Sequence, residues 1–168
     1  MHRSLFRAAL LPAIVFASGG ASLSAPAVIA NDNRQAAGAL KNGILTVSLE
    51  TRMGVWYPEG EHGRAIPIAT FAEEGKAPST PGPLIRVRVG TDVHVRVRNT
   101  FKEPLTVFGF GKTRGMSDSV VVAPNESADV GFKATTPGTF YYKARRSYDP
   151  LFGTPTDDQQ LGGAIEQW

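Results

Sequence analysis

The strongest constraint on the fold is a two-residue alternation of side-chain character on either side of Gly90. Residues 84–89 and 93–98 each place valine or isoleucine at every second position, with arginine or histidine between. Successive side chains of a strand point to opposite faces, so each run predicts a strand with one buried and one solvated face. Similar short runs occur at 44–50, 105–110, 119–122, 127–132 and 139–142. Turn residues between closely spaced short strands predict an all-β fold, either a sandwich or a barrel.

This alternation also predicts which side chains form the core. The expected core residues are mostly valines on the apolar face of each strand: Val87, Val89, Val95, Val97, Val107, Val130, Phe132 and Tyr141. Residues 51–83 are rich in Gly and Pro and predict a long irregular excursion with at most one strand, Ile66–Phe71.

Composition removes several kinds of chemistry. The 168 residues include 18 Gly and 12 Pro but no Cys. Without cysteine the chain cannot form a disulfide, a thiolate nucleophile, a cysteine zinc site, an iron–sulfur cluster or a thiolate-ligated blue copper centre.

The N-terminus predicts export. A basic start at His2, Arg3 and Arg7 precedes an apolar stretch over residues 8–17, and small residues follow. This is the pattern of a secretory signal over residues 1–30, with cleavage expected after Ala30 or near Ala25, and with residues 31–43 as a loose leader. The apolar stretch is too short for a transmembrane span. We therefore expect a periplasmic or secreted protein with no membrane span in the mature chain.

Net charge does not indicate a nucleic-acid partner. Losing two arginines with the signal lowers Lys plus Arg from 18 to 16 against 15 acids, so the mature chain is almost neutral. Arginines cluster locally at Arg86, Arg88, Arg96 and Arg98, but no aromatic residues are interleaved with them. We interpret this cluster as a solvated sheet face and expect no nucleic-acid binding.

Residues 81–99, PGPLIRVRVGTDVHVRVRN, resemble the strand pair near the start of the first cupredoxin domain of multicopper oxidases. The segments APNES (123–127) and PGTFYY (137–142) resemble later strands of that domain, and QQLGGA (159–164) resembles the opening of its final strand. The resemblance covers roughly residues 44–165. It implies a single cupredoxin-like, Greek-key β-sandwich domain over residues 44–168.

The resemblance also identifies four positions where the family has copper-binding histidines. That family holds copper with two His-x-His pairs, because imidazole nitrogens suit copper. Here the corresponding residues are Phe108 and Phe110 in the first pair, and Lys143 and Arg145 in the second. Phenylalanine has no donor atom, and lysine and arginine are cations at neutral pH. We therefore assign no catalytic and no metal-binding residues here, and treat copper as a cofactor of the family that this chain is not expected to bind tightly.

No other site in the sequence replaces this one. His62 and His94 are isolated from each other in sequence and are expected to be solvent-exposed. The acidic pairs 73–74 and 157–158 are expected to be hydrated, because adjacent side chains on a strand or loop point apart. The aromatic residues at 108, 110, 141 and 142 are expected either to pack within the sandwich or to form a contact surface in place of the metal cleft.

Three functions stay open from the sequence. The first is a noncatalytic cupredoxin-like module that acts as a scaffold or binding module. The second is a truncated piece or subunit of a copper-dependent, laccase-like oxidoreductase, active only with further cupredoxin domains. The third is a periplasmic protein that binds copper weakly at its surface. The expected partners are further cupredoxin domains or another protein subunit, and the ending Glu166-Gln167-Trp168 is compatible with either a stand-alone domain or a shortened reading frame.

Overall fold

A computed structural model of this protein describes residues 25–111, 118–146 and 159–168. In chain order the first strands are β1 (Ile29–Ala30), β2 (Ala39–Lys41), β3 (Ile44–Trp56), β4 (Ile66–Glu73), β5 (Ser79–Thr80), β6 (Gly82–Val87) and β7 (Asp92–Arg98). They are followed by β8 (Leu105–Phe108), β9 (Ser119–Val122), β10 (Ser127–Lys133), β11 (Gly138–Arg146), β12 (Gln159–Gln160) and β13 (Gly162–Gln167). In this part of the chain no helix has the length and apolar character needed to cross a bilayer.

The strands form two sheets. The first has the order β1-β5-β4-β3-β7-β10, with β2 also paired to β3 and β12 to β4. The second has the order β6-β13-β11-β8-β9. One cluster of buried apolar side chains, drawn from strands of both sheets, forms the core between them. From β5 onward the chain crosses repeatedly between the sheets, so the predicted Greek-key β-sandwich with a single core is confirmed.

The two alternating runs around Gly90 belong to different sheets. β6 lies at the edge of the second sheet, whereas β7 lies between β3 and β10 in the first. Gly90 has a positive φ of 96°, and its amide bonds to the carbonyl of Ala134. The turn therefore carries the chain from one sheet to the other. β6 and β7 therefore do not pair with each other as the two strands of a hairpin would.

Most of the predicted core residues are buried. Those confirmed are Val87, Val95, Val97, Val107 and Phe132.

Two of the predicted core residues lie elsewhere, and a third, Val130, is half-buried and packs against the core cluster. Val89 is wrong as a core residue, because β6 ends at Val87 and the side chain of Val89 is 42% exposed. Tyr141 is also wrong, since it is 73% exposed while its neighbour Tyr142 is fully buried. Residues 140–142 are all aromatic, so the sequence does not show which of them faces the core.

Residues 51–83 are more regular than predicted. β3 continues to Trp56 and pairs antiparallel with β4 along eight residue pairs, and β5 and the start of β6 follow. The second half of β3 is not recognised as a strand from the sequence, because Glu50 and Thr51 are both buried and break the two-residue alternation. β4 shows no alternation either, because five consecutive residues, Ile68–Ala72, are buried.

Residues 25–43 also contribute to the sandwich. β1 pairs with β5, and β2 pairs with β3. Ala37 is buried, and its amide donates to the carbonyl of Leu84 at 2.7 Å. The expected loose leader over 31–43 is therefore held against both sheets by backbone hydrogen bonds, which a search for side-chain periodicity does not detect.

Candidate functional site

The four positions identified from the resemblance lie on or just after two neighbouring strands of the second sheet. β8 and β11 pair antiparallel, with Phe108 opposite Lys143 and Thr106 opposite Arg145. Directly opposed residues of an antiparallel pair project from the same face. The structure therefore brings three of the four positions, Phe108, Lys143 and Arg145, onto one face.

This face points away from the core. Leu105 and Val107 alternate with Thr106 and Phe108 along β8, and only Leu105 and Val107 are buried. On β11, Tyr142 is buried while its neighbours on both sides are exposed. We call this surface the outer face of the second sheet. Its members on β8, β9 and β11 include Thr106, Phe108, Val121, Tyr141, Lys143 and Arg145.

The outer face combines apolar and cationic groups. Tyr141 is 73% exposed and Val121 is 64% exposed. The Nζ of Lys143 lies 5.9 Å from the centroid of the Phe108 ring, within range of a cation–π contact. Arg145 is exposed beside Thr106. The face therefore presents two cationic side chains next to exposed apolar ones.

Phe110 does not join the other three positions. β8 ends at Phe108, and Gly109 has a φ of 94°. A Cβ at Gly109 would lie 2.3 Å from the carbonyl oxygen of Tyr141, so this turn requires glycine. The turn directs Phe110 inward, where it is 3% exposed and stacks on Tyr142 with ring centroids 5.0 Å apart.

Tyr142 is the central side chain of this region, although the sequence did not single it out as a core residue. It is fully buried, and its hydroxyl donates to the carbonyl of Pro83 at 2.7 Å. Its ring also contacts Phe71 of the first sheet, with centroids 5.6 Å apart. Burial raises the pKa of the Tyr142 hydroxyl, because the phenolate would lose its hydration. Tyr142 thus ties β11, β6 and β4 together as a neutral residue.

An apolar cleft of about 440 Å³ opens beside Phe110. It lies between β9 and β10, the edge strands of the two sheets, and its walls include Val107, Val120 and Val130. Asp118 and Ser119 also line it. Among the residues that the structure describes, no group of three His, Cys, Asp or Glu side chains forms a metal site there.

The residues at the four positions do not fit copper. Two are phenylalanines without a donor atom, Arg145 has no lone pair to give, and Lys143 could bind a metal only after losing its proton. Within residues 25–111, 118–146 and 159–168, no three His, Cys, Asp or Glu side chains form a group able to hold a metal ion. We therefore derive no copper-dependent step through these four residues.

His94 and His62 do not belong to this face. His94 projects from the exposed side of β7, with Thr46 and Gly131 as its cross-strand neighbours in the first sheet. His62 is exposed in the connection between β3 and β4.

The acidic pair at 73–74 is structural. Glu73 accepts a hydrogen bond from the amide of Gly38 at 3.0 Å and forms an ion pair with Lys76. Glu74 is exposed. The other pair, Asp157 and Asp158, lies outside the described residues.

The arginine cluster of the sequence is divided by the fold. Arg86 lies on β6 of the second sheet and pairs with Glu166 of β13. Arg96 and Arg98 project from β7 of the first sheet, and Arg96 lies 3.9 Å from Asp129. These arginines therefore do not form the continuous basic patch typical of nucleic-acid-binding domains.

Comparison with known proteins gives one consistent relationship. Residues 75–154 match the sequence model of the multicopper oxidase family. No curated protein matches the chain. The multicopper oxidase from Campylobacter jejuni, a metallo-oxidase, aligns over 86% of this chain and 30% of its own, with 21% identity and a TM-score of 0.54. The blue copper oxidase from Nitrosomonas europaea aligns over 73% of this chain and 38% of its own, with 23% identity and a TM-score of 0.54.

The structural matches give information about the fold of this chain, not about its activity. The chain spans about a third of the length of the two solved proteins, which are 21% and 23% identical to it. At this level of identity the structural match establishes the cupredoxin-like fold of the sandwich, and the match to the family model agrees with it.

Proposed function

Because this chain is related to the cupredoxin domains of multicopper oxidases, we propose that it is an exported cupredoxin-like module that has no catalytic activity alone. Its role is that of a scaffold or binding module in the periplasm or outside the cell. The observation that carries the proposal is the Phe108–Lys143 pair. A phenyl ring and a cation within cation–π range of it occupy two directly opposed positions where the resemblance implies copper-binding imidazoles.

The outer face of the second sheet is the proposed contact surface. Val121 and Tyr141 expose apolar area to solvent on this face, and Lys143 and Arg145 add positive charge beside it. Aromatic and arginine side chains are typical of protein interfaces, and complementary charge steers association. The partner is expected to be a protein, either a further cupredoxin domain or a separate subunit, with acidic groups facing Arg145.

Site-specific photo-crosslinking in the exporting cell tests this surface. A photoreactive residue at Tyr141 should give one discrete protein adduct, and the charge reversal Arg145→Glu should remove it. The matched control is a photoreactive residue at His94, which lies on the opposite sheet and should give no such adduct. Adducts of equal yield from both faces, or an adduct that Arg145→Glu leaves unchanged, would contradict the proposal.

The catalytic part of the proposal has a separate test. The exported chain, purified and supplied with copper, should leave phenolic laccase-type substrates unoxidised. Oxidation by the purified chain at a rate above that of free copper would show that the module is itself an enzyme.

A second function is supported by the coverage of the solved structures. The chain corresponds to 30% and 38% of two multicopper oxidases, so it could act as one piece or subunit of a copper-dependent oxidoreductase that needs further cupredoxin domains. Sequencing the DNA beyond the codon for Trp168 distinguishes the two proposals. A following frame that encodes His-Cys-His patterns would favour the oxidoreductase piece, and unrelated sequence would favour the independent module.

A further inference from the structure

The stretch Pro26–Asn31, which we call the N-terminal segment, is hydrogen-bonded into the first sheet. Its first half runs beside β3. The amide of Val55 donates to the carbonyl of Pro26 at 2.9 Å, and the amide of Val28 donates to the carbonyl of Val55 at 2.8 Å. Ala27 and Val55 form a parallel bridge between these two bonds.

The second half of the segment runs beside β5. The amide of Ile29 donates to the carbonyl of Pro78 at 2.9 Å, and the amide of Asn31 donates to the carbonyl of Thr80 at 3.0 Å. The side-chain amide of Asn31 adds a bond to the carbonyl of Gly82 at 3.0 Å. The segment therefore spans from β3 to β5 and reaches the first residue of β6.

Side-chain packing at Val28 is specific. Val28 is 6% exposed, whereas its neighbour Ile29 is 53% exposed. Val28 lies against Gly54 of β3, where a Cβ would be only 2.4 Å from the Val28 Cγ2 atom. The absence of a side chain at Gly54 thus leaves the space that Val28 fills.

We infer that the N-terminal segment is the first strand of the exported protein, and that removal of the signal cuts the chain at or before Ala25. This inference rests on the export proposed above, and it moves the cut from the position after Ala30 that the sequence first suggests. A cut after Ala30 would remove Val28 from its site at Gly54. It would also remove the two backbone hydrogen bonds that join Pro26 and Val28 to Val55, and the bond that the amide of Ile29 donates to Pro78.

The N-terminal residue of the exported protein tests the cut directly. The full chain is expressed in a bacterial host, recovered from the periplasm or medium, and analysed by N-terminal sequencing and intact mass. The first residue is expected at or before Pro26. A first residue at Asn31 would overturn the inference while leaving export intact. An uncleaved chain confined to the cytoplasm would overturn both the cut and the proposed export.

A double-mutant cycle in the full chain tests the strand independently of export. Gly54→Ala should lower the melting temperature by about 5 °C, because the new methyl group meets the Val28 side chain and the carbonyl oxygen of Pro26. Val28→Ala should relieve part of that clash, so the double variant should lose clearly less than the sum of the two single losses. Ile29→Ala is the matched control, and its effect should add to that of Gly54→Ala. Additive losses for the Val28 pair would show that Val28 does not lie against Gly54 and would overturn the inference.

Discussion

Replacing Tyr142 with phenylalanine removes one buried hydroxyl from the centre of the sandwich while keeping the ring. In the native protein this hydroxyl donates to the carbonyl of Pro83 at 2.7 Å, and neither group is open to replacement by bulk water. A buried carbonyl left without its donor costs about 1–3 kcal/mol. We therefore expect Tyr142→Phe to lower the free energy of unfolding by that amount at neutral pH.

The same variant should change how stability depends on pH. The folded-state pKa of Tyr142 is raised above the usual value near 10 by burial, so the unfolded chain loses this proton first as pH rises. The stabilisation from the neutral hydroxyl is complete below pH 10 and is lost above it, at about 1.4 kcal/mol per pH unit. The difference between the native chain and Tyr142→Phe should therefore shrink by about 1.4 kcal/mol between pH 7 and pH 11, of which about 1 kcal/mol is lost between pH 10 and pH 11.

Urea unfolding followed by circular dichroism at pH 7, 10 and 11 measures both effects. Tyr141→Phe is the matched control, because Tyr141 is 73% exposed and its hydroxyl can be hydrated in both states. It should leave the unfolding free energy within about 0.5 kcal/mol of the native value. If the difference between the native chain and Tyr142→Phe is the same at pH 7 and pH 11, the hydroxyl is not buried as described and the reasoning fails.

Two further substitutions test the core and the strand register. Val95→Asp would place an unpaired charge in the core and should cost more than about 4 kcal/mol in urea unfolding, whereas Val121→Asp on the outer face should cost less than about 1 kcal/mol. An unchanged midpoint for Val95→Asp would mean that the strand phase is wrong. Replacing Phe108 and Lys143 together by histidine puts two imidazoles at directly opposed positions and should raise copper affinity measurably in isothermal titration calorimetry. Histidines at Phe108 and Thr139 are the control, because that pair is not opposed across the sheet; equal affinities would contradict the register of β8 and β11.

The sequence predicted the fold class well because most core strands expose one face. In β7 every second residue from Val93 to Val97 is buried, and the alternation is visible without any structure. β4 is covered on both faces, so the buried run Ile68–Ala72 has no period to detect. β1 and β2 are short and exposed, and they are held by backbone hydrogen bonds that leave no side-chain pattern.

The four positions taken from the resemblance show where residue spacing does and does not indicate a shared face. Lys143 and Arg145 lie two residues apart on β11 and share a face, as the two-residue period of a strand implies. The same two-residue spacing for Phe108 and Phe110 is misleading, because the strand ends and Gly109 turns Phe110 into the core. A glycine with a positive φ between two residues changes the angle between their side chains. Counting residue spacing in the sequence does not reveal this change.

Copper content after loading is the most direct test of the central claim that the residues at the family's ligand positions do not hold copper in this chain. The purified protein is incubated with excess Cu(II) and desalted. Its copper content is then measured by mass spectrometry of the metal, together with its visible absorption. We predict well under one copper per molecule and no blue absorption band, because the chain has no cysteine and its four ligand positions carry Phe108, Phe110, Lys143 and Arg145. One tightly held copper per molecule would contradict this account and would direct the search for its ligands to His62 and His94.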